Sequence, residues 1–192
     1  PHVGTVTPPA GWEDIYTLVQ ELRQDRTAPC DFEGGEALPE RGLDDMDPKT
    51  HRFQVLVALI LSSQTKDAIV GQATRNLQDH GLTIENLLQT PHEELNKMIQ
   101  KVGFHNNKTK YLKQVVQILR DEYNDDIPPT AAEMIEKLPG GGPKMAYIVE
   151  NACWGVCSGI GVDTHMHRIF NQLKWVKSKT NGSSPTKTPE QT

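Results

Sequence analysis

Lysine and aspartate carry most of the covalent potential of this sequence, and one pair stands out. Lys144 closes the run Leu138-Pro139-Gly140-Gly141-Gly142-Pro143-Lys144, and Asp163 follows nineteen residues later. A neutral lysine amine is a nucleophile that can attack a sugar C1′ and form a Schiff base. At a helix N-terminus the positive end of the dipole disfavours the ammonium, and any burial would add to that effect. An aspartate beside it could accept the proton or steady a cationic sugar. Asp163 also stands just ahead of the apolar-periodic Met166, Ile169, Phe170 and Leu173, so it reads equally as a helix N-cap. The two roles are compatible.

The elements that must position this pair are legible on either side of the glycines. Thr130 and Glu133 have capping-box spacing ahead of Met134, Ile135 and Leu138, which predicts a short helix from Thr130 that stops before Pro139. Pro143 suits the first turn of the next helix, where a missing N–H costs nothing. Between them Gly140, Gly141 and Gly142 can take up positive φ and allow close approach. The result is a helix–hairpin–helix over about residues 130–154. Its turn offers free N–H groups to an anion such as phosphate, with Gly140 and Gly142 as the candidate backbone contacts. An ordinary glycine-rich helix connection has the same spacing. The second helix, Pro143 to about Trp154, covers roughly 18 Å. The run from Gly155 to Val162 spans up to about 25 Å when extended, enough to return Asp163 to Lys144.

Leu-Pro-Gly-x-Gly-Pro-Lys followed by Val162-Asp163-Thr164-His165 resembles the endonuclease III family of helix–hairpin–helix DNA glycosylases, in its eukaryotic thymine-glycol glycosylase branch. The likeness extends over roughly Phe53 to Trp175. The resemblance implies an all-α fold and a bifunctional enzyme, a DNA glycosylase and AP lyase that removes oxidised pyrimidines from damaged double-stranded DNA and cleaves 3′ to the abasic site by β-elimination. Lys144 would be the nucleophile and Asp163 its partner. Gln64 would lie at the DNA and fill the space of the flipped nucleotide, while Phe104 would wedge into the duplex. The resemblance further implies a monomer when full length, the nucleus and the mitochondrion as compartments, and a [4Fe–4S] cluster on four cysteines beyond the end of this chain. On the residues alone, Gln64 is also readable as a polar loop residue and Phe104 as a core plug. One departure lies in the motif: Gly141 stands where the family usually has valine, which bears on hairpin rigidity. The competing reading is a non-catalytic module that binds DNA or protein, with Lys144 as a phosphate contact. Relatives that excise adenine or methylated bases usually lack the hairpin lysine.

A net charge of −5 argues at face value against nucleic acid, but its distribution reverses the argument. Residues 1–50 hold 4 basic and 11 acidic residues, whereas residues 137–192 hold 7 basic and 3 acidic. The hairpin half therefore has the sign that phosphate requires. Cys30, Cys153 and Cys157 are the only cysteines. None has C-x-x-C spacing, so no metal or cluster site is expected within this chain, and small, buried, reduced side chains are expected instead. No apolar run is long enough to cross a membrane. The chain begins with Pro1, so a leader is neither indicated nor excluded.

Along the rest of the chain, helical periodicity recurs. Residues 1–48 read as a flexible arm, an amphipathic helix over Trp12–Arg23 (Ile15, Leu18, Val19, Leu22) and a long connection from Ala28 to Lys49, the whole forming part of a second helical domain. Residues 49–162 read as the principal helical domain. Phe53–Leu61 is wholly buried in pattern, and its context of capped helices favours helix over strand. Thr65 is expected to cap a helix carrying Ile69, Ala73 and Leu77, and Thr83 a short one with Leu87 and Leu88. Thr90-Pro91-His92-Glu93 has the signature of a helix start, with Thr90 as cap. Gly103 is expected to end that helix in left-handed geometry. A long helix should run from Lys108 to Tyr123. Residues 163–192 read as the start of an incomplete C-terminal helical domain. Thr188-Pro189-Glu190-Gln191 has the form of a helix start within a turn of the last residue, so a continuing chain is expected, as is exposure of Ile15, Leu18 and Leu22 without it. The fold class is all-α, with about nine helices and no convincing strand alternation or internal repeat.

Overall fold

In the computed structural model, residues 7–28, 30–33, 46–176, 180–181 and 184–185 are described. Among them ten helices follow in order: α1 (Trp12–Leu22), α2 (Cys30–Glu33), α3 (Pro48–Ser62), α4 (Asp67–His80), α5 (Ile84–Gln89), α6 (His92–Met98), α7 (His105–Glu122), α8 (Ala131–Lys137), α9 (Pro143–Trp154) and α10 (Thr164–Gln172). The chain divides into two units, one of Pro29–Val162 and one of Pro1–Ala28 with Asp163–Thr192.

In the larger unit, α3 is the central element. Asp47 starts it: the carboxylate accepts from the Lys49 and Thr50 N–H groups at 3.1 Å each, and Pro48 occupies the first turn. Phe53, Leu56, Val57, Ile60 and Leu61 are then buried to within 2% of completely, against α4, α7 and α9. Burial of each such side chain contributes about 1.5–3 kcal/mol, so this stretch is a large share of the core, and the structure shows it as helix rather than strand. The apolar faces of α5 and α6 close on α7, where Leu112, Val115, Val116 and Leu119 are inaccessible to solvent. Lys113 seals the end of α5, donating to the Leu87, Leu88 and Thr90 carbonyls at 2.7, 2.9 and 3.0 Å. Arg52 stacks on the Trp154 ring at 4.3 Å and pairs with Asp126, which joins α3, α9 and the α7–α8 connection.

Several expected helix starts move. Thr65 does not cap α4, because its hydroxyl is taken by tertiary partners described below, and Lys66 holds the cap position without a side-chain bond. Thr83 caps α5 as expected, accepting from Asn86 N at 3.2 Å. At α6 the cap position falls to Pro91. The Thr90 hydroxyl turns back to donate to the Asn86 carbonyl at 2.7 Å and meets His80 Nε2 at 2.9 Å. Gly103 is not left-handed. The left-handed residue is Phe104, and α7 starts at once after it, three residues earlier than the sequence pattern indicates. The connection after Ala28 contains α2, pinned to α4 by a 2.7 Å pair between Glu33 and Arg75.

The smaller unit holds α1 and α10. No residue of α1 is fully buried; Leu18 and Leu22 are exposed, while Ile15 is half-buried. Phe170 of α10 and Trp175 just beyond it have their rings 5.8 Å apart. The one regular element here besides helix is a two-residue antiparallel pair, β1 (Thr180–Asn181) with β2 (Ser184–Pro185), which leaves the class all-α among the described residues. The helix start expected at 188–191, the first six residues of the arm and the connection over 34–45 lie outside the described residues.

Candidate functional site

The hairpin forms as its capping residues demand. Thr130 Oγ1 accepts from Glu133 N at 3.2 Å and opens α8, while Leu138 ends it. Of the three glycines, only Gly140 is left-handed (φ 81°), and it lies flat on the Tyr111 ring, where a Cβ would come within 2.5 Å of Tyr111 Cδ2. Both facts require glycine there. Gly142 takes the cap position of α9 in extended geometry, and no atom lies within 4 Å of the place a side chain would fill. The first turn of α9 is therefore open above its unpaired N–H groups, as backbone approach by an anion needs. Pro143 and Lys144 follow as the first two helical residues, and Lys144 is exposed rather than buried.

Gly141 lies outside the left-handed region, and a Cβ there would meet the Met145 methyl at 2.6 Å and the Leu138 carbonyl at 3.4 Å. The methyl is the far end of a flexible side chain and can swing away. Gly141→Val is accordingly expected to raise stability by about 0.4–1 kcal/mol through the unfolded chain, read as a melting temperature a few degrees higher. A melting temperature several degrees lower would mean that Met145 cannot yield.

Beyond α9 the chain turns at Gly155 and comes back along the same helix. By Gly161, two residues before Asp163 in sequence, it is beside the Lys144 carbonyl, close enough that a Cβ at 161 would lie 2.7 Å from that oxygen. The return is fastened by Glu150, a carboxylate only 2% exposed in the apolar face of α9. It accepts the Ser158 hydroxyl and, at 3.2 Å, Ser158 N; its other oxygen accepts Ala131 N at 2.8 Å at the start of α8. These hydrogen bonds, the Ser158 hydroxyl first and then Ala131 N, hold the carboxyl below its ordinary value of 4.5 despite burial. A group so depressed contributes stability above its unfolded pKa, and that stability is lost as pH falls through the folded pKa. Glu150→Gln should cost about 1–3 kcal/mol at neutral pH, because one of the buried donors loses its acceptor. In urea titrations the deficit should shrink below pH 4.5. A deficit that stays constant from neutral pH down to about pH 3, well below the ordinary carboxyl value, would show that the charge is immaterial.

Asp163 opens α10 in the smaller unit, its Oδ1 accepting Met166 N at 2.7 Å, as an N-cap should. Gln64 and Phe104 are both exposed and both left-handed, at φ 50° and 57°. Phe104 is 63% exposed and is therefore no core plug. With Ile60, Ser63, Asn107, Lys108, Tyr111 and Gly140 they surround a cavity of about 220 Å³. The structure thus gathers Gln64, Phe104 and Gly140 at one place, and sets Lys144 four residues beyond Gly140 in the first turn of α9.

Sequence reasoning gives no site role to Lys108 and reads Thr65 only as a helix cap. Lys108 is 3% exposed, and its Nζ donates to the Leu61 carbonyl at 2.8 Å, the Ser63 carbonyl at 2.5 Å and Thr65 Oγ1 at 3.1 Å. Burial pushes its ammonium down to about 8. The available signal is spacing, since Lys108 shares a helix face with Leu112 and Val115. Thr65 Oγ1 also accepts Gly103 N at 3.1 Å.

Cysteine usage differs from expectation: α9 ends before Cys157, which is exposed, and Cys153 is half-buried with its thiol 4.0 Å from the Arg52 carbonyl. Among the described residues no three His, Cys, Asp or Glu side chains gather as a metal site, so these residues do not fit a cluster.

Residues 57–191 match the family described as HhH-GPD superfamily base excision DNA repair protein. The chain is 46% identical over 177 residues to the Endonuclease III homolog of Schizosaccharomyces pombe, covering 91% of this chain and 48% of that protein. It is 44% identical over 184 residues to Endonuclease III-like protein 1 of Mus musculus, covering 96% and 58%. It spans about half the length of these relatives. The structure is similar to that of a non-covalent Endonuclease III–DNA complex, with a TM-score of 0.65 and 28% identity over 86% of this chain and 70% of the other. The match over most of the sequence, with a hairpin built as its capping residues and Gly140 require, places the chain in the HhH-GPD superfamily of base excision DNA repair proteins.

Proposed function

We propose that this chain carries the chemistry of a bifunctional DNA glycosylase and AP lyase acting on oxidised pyrimidines in duplex DNA. The observation that carries the reading is the exposed Lys144 amine on the first turn of α9, beside the open backbone of Gly142. The hairpin N–H groups hold a phosphate, which gives sequence-independent register. A damaged base leaves the stack at a cost of a few kcal/mol, less than an intact pair demands, and Gln64 and Phe104 fill the gap. The neutral Lys144 amine attacks C1′ as the C1′–N bond to the base breaks. Asp163 takes up the amine proton or balances the cationic sugar. The C1′–O4′ bond of this ring-closed adduct then breaks, O4′ taking up a proton to become a hydroxyl, and C1′ is left as a Schiff base to the lysine nitrogen. Removal of a C2′ proton then expels the 3′ phosphate by β-elimination.

The test is reduction with borohydride of the chain mixed with a duplex that contains one abasic site. A covalent protein–DNA adduct is expected. A chain that binds the duplex but gives no adduct would be a DNA-binding module in which Lys144 is a phosphate contact.

A further inference from the structure

Gln64 and Phe104 are held in a conformation that neither gains from on its own. Left-handed backbone at a residue other than glycine costs of order 1 kcal/mol and persists only where the surroundings over-determine it. Exposed side chains supply no burial to offset that cost.

The surroundings that over-determine it are few. A buried lysine normally pairs with a carboxylate. Lys108 contacts two carbonyls and a hydroxyl instead, and these acceptors, Leu61, Ser63 and Thr65, flank Gln64 on both sides. Its three ammonium protons are matched one to each. Thr65 Oγ1 then receives the N–H of Gly103, the residue before Phe104. At that junction the two backbones touch: a Cβ on Gly103 would lie 2.5 Å from the Gln64 carbonyl. The whole link rests on one cation and one hydroxyl. Lys108 is also the fourth residue of the helix that Phe104 starts, with its N–H bonded to the Phe104 carbonyl at 3.0 Å, so both prongs are referred to the same turn of α7.

We infer that Lys108 and Thr65 are positioning residues that hold Gln64 and Phe104 together as a single two-pronged probe for entry into a duplex. The inference rests on the glycosylase reading given above. Neither residue touches the reacting sugar. Their effect falls on extrusion of the base and spares the amine chemistry.

Thr65 is only half-exposed and lies outside the core, so Thr65→Val removes the acceptor for Gly103 N and Lys108 Nζ without unfolding the chain, whereas Thr65→Ser keeps it. Lys108→Met breaks the link from the other side and, by stranding buried acceptors, should also lower the melting temperature. Two readouts are compared in the full chain. One is excision from a damaged duplex together with the fluorescence of a 2-aminopurine beside the lesion, which reports unstacking. The other is borohydride trapping on a single-stranded abasic oligonucleotide, which needs no extrusion. Thr65→Val should reduce duplex excision and the fluorescence rise by about tenfold or more, the scale set by small misplacements of positioning groups. Single-strand trapping should stay within about twofold of the parent, as expected when the chemical step is untouched. Thr65→Ser should restore duplex activity. Equal losses on both substrates, no loss on either, or a serine variant as impaired as valine would overturn the clasp. Failure of the parent chain to trap either substrate would instead overturn the glycosylase reading, and with it the purpose assigned to the clasp.

Discussion

Lys144→Gln is expected to abolish the borohydride adduct and base excision altogether while leaving duplex affinity within about tenfold, because one charge is a small share of an interface that contacts many phosphates. The side chain is exposed on the first turn of α9, so its exchange for glutamine should change stability by no more than about 0.5 kcal/mol. That separation makes the result informative, since loss of the adduct cannot then be assigned to unfolding or to loss of binding. Glutamine keeps the length and polarity of the stem and has no nucleophilic amine. Band-shift titration and trapping on one abasic duplex would measure both quantities together. Undiminished adduct in the variant would remove Lys144 from the chemistry and point to a different amine.

Asp163→Asn should leave the fold nearly unchanged and lower turnover by two or more powers of ten, the scale of acid–base catalysis. The carboxylate caps α10 through a single oxygen, Oδ1 to Met166 N at 2.7 Å, and an asparagine carbonyl can make the same bond. Asparagine caps about as well as aspartate, so thermal melting is the control for structure. What the variant lacks is the negative charge that accepts a proton or balances the cationic sugar. Single-turnover excision measured beside melting therefore separates the two roles of Asp163. Equal rates for the two proteins would leave it as a cap alone.

Where helix ends are decided locally, the sequence was sufficient. Thr130 with Glu133, Thr83 with Asn86, Pro143 in its first turn and Asp163 with Met166 all act within three residues, and each does in the structure what its spacing indicates. It misled where a hydroxyl had a distant competitor. Thr65 and Thr90 have the form of caps, but Gly103 N and Lys108 claim one hydroxyl, and Asn86 and His80 the other. A capping bond contributes about 1 kcal/mol, which a charge-assisted bond to a buried ammonium exceeds. The start of α7 was illegible for another reason: Phe104 stands at its cap with no side-chain acceptor at all, and periodicity alone registers only the inward residues from Lys108 onward. At the candidate site, Lys144, Gly142, Gln64 and Phe104 are named by motif position, while their exposure is visible only in the structure. Lys108 and Glu150 did not announce themselves. A charged residue on an apolar helix face is ordinarily a snorkelling side chain, and only the three-dimensional path of the 61–65 and 155–161 segments and the start of α8 brings their partners within reach.

The seat of Gly140 on the Tyr111 ring also bears on how such a protein would search. Tyr111 belongs to α7, the helix that begins directly after Phe104, so the hairpin turn and the Phe104 prong are fixed to one rod of eighteen residues. A probe mounted on a hinged loop could sample base pairs by itself while the body stayed still. Here, on the proposed function, a grip on the phosphates and a push into the stack are the same movement. Each base pair is then tested with the full weight of the backbone contacts behind it, and a weak pair gives way where a sound one stops the advance.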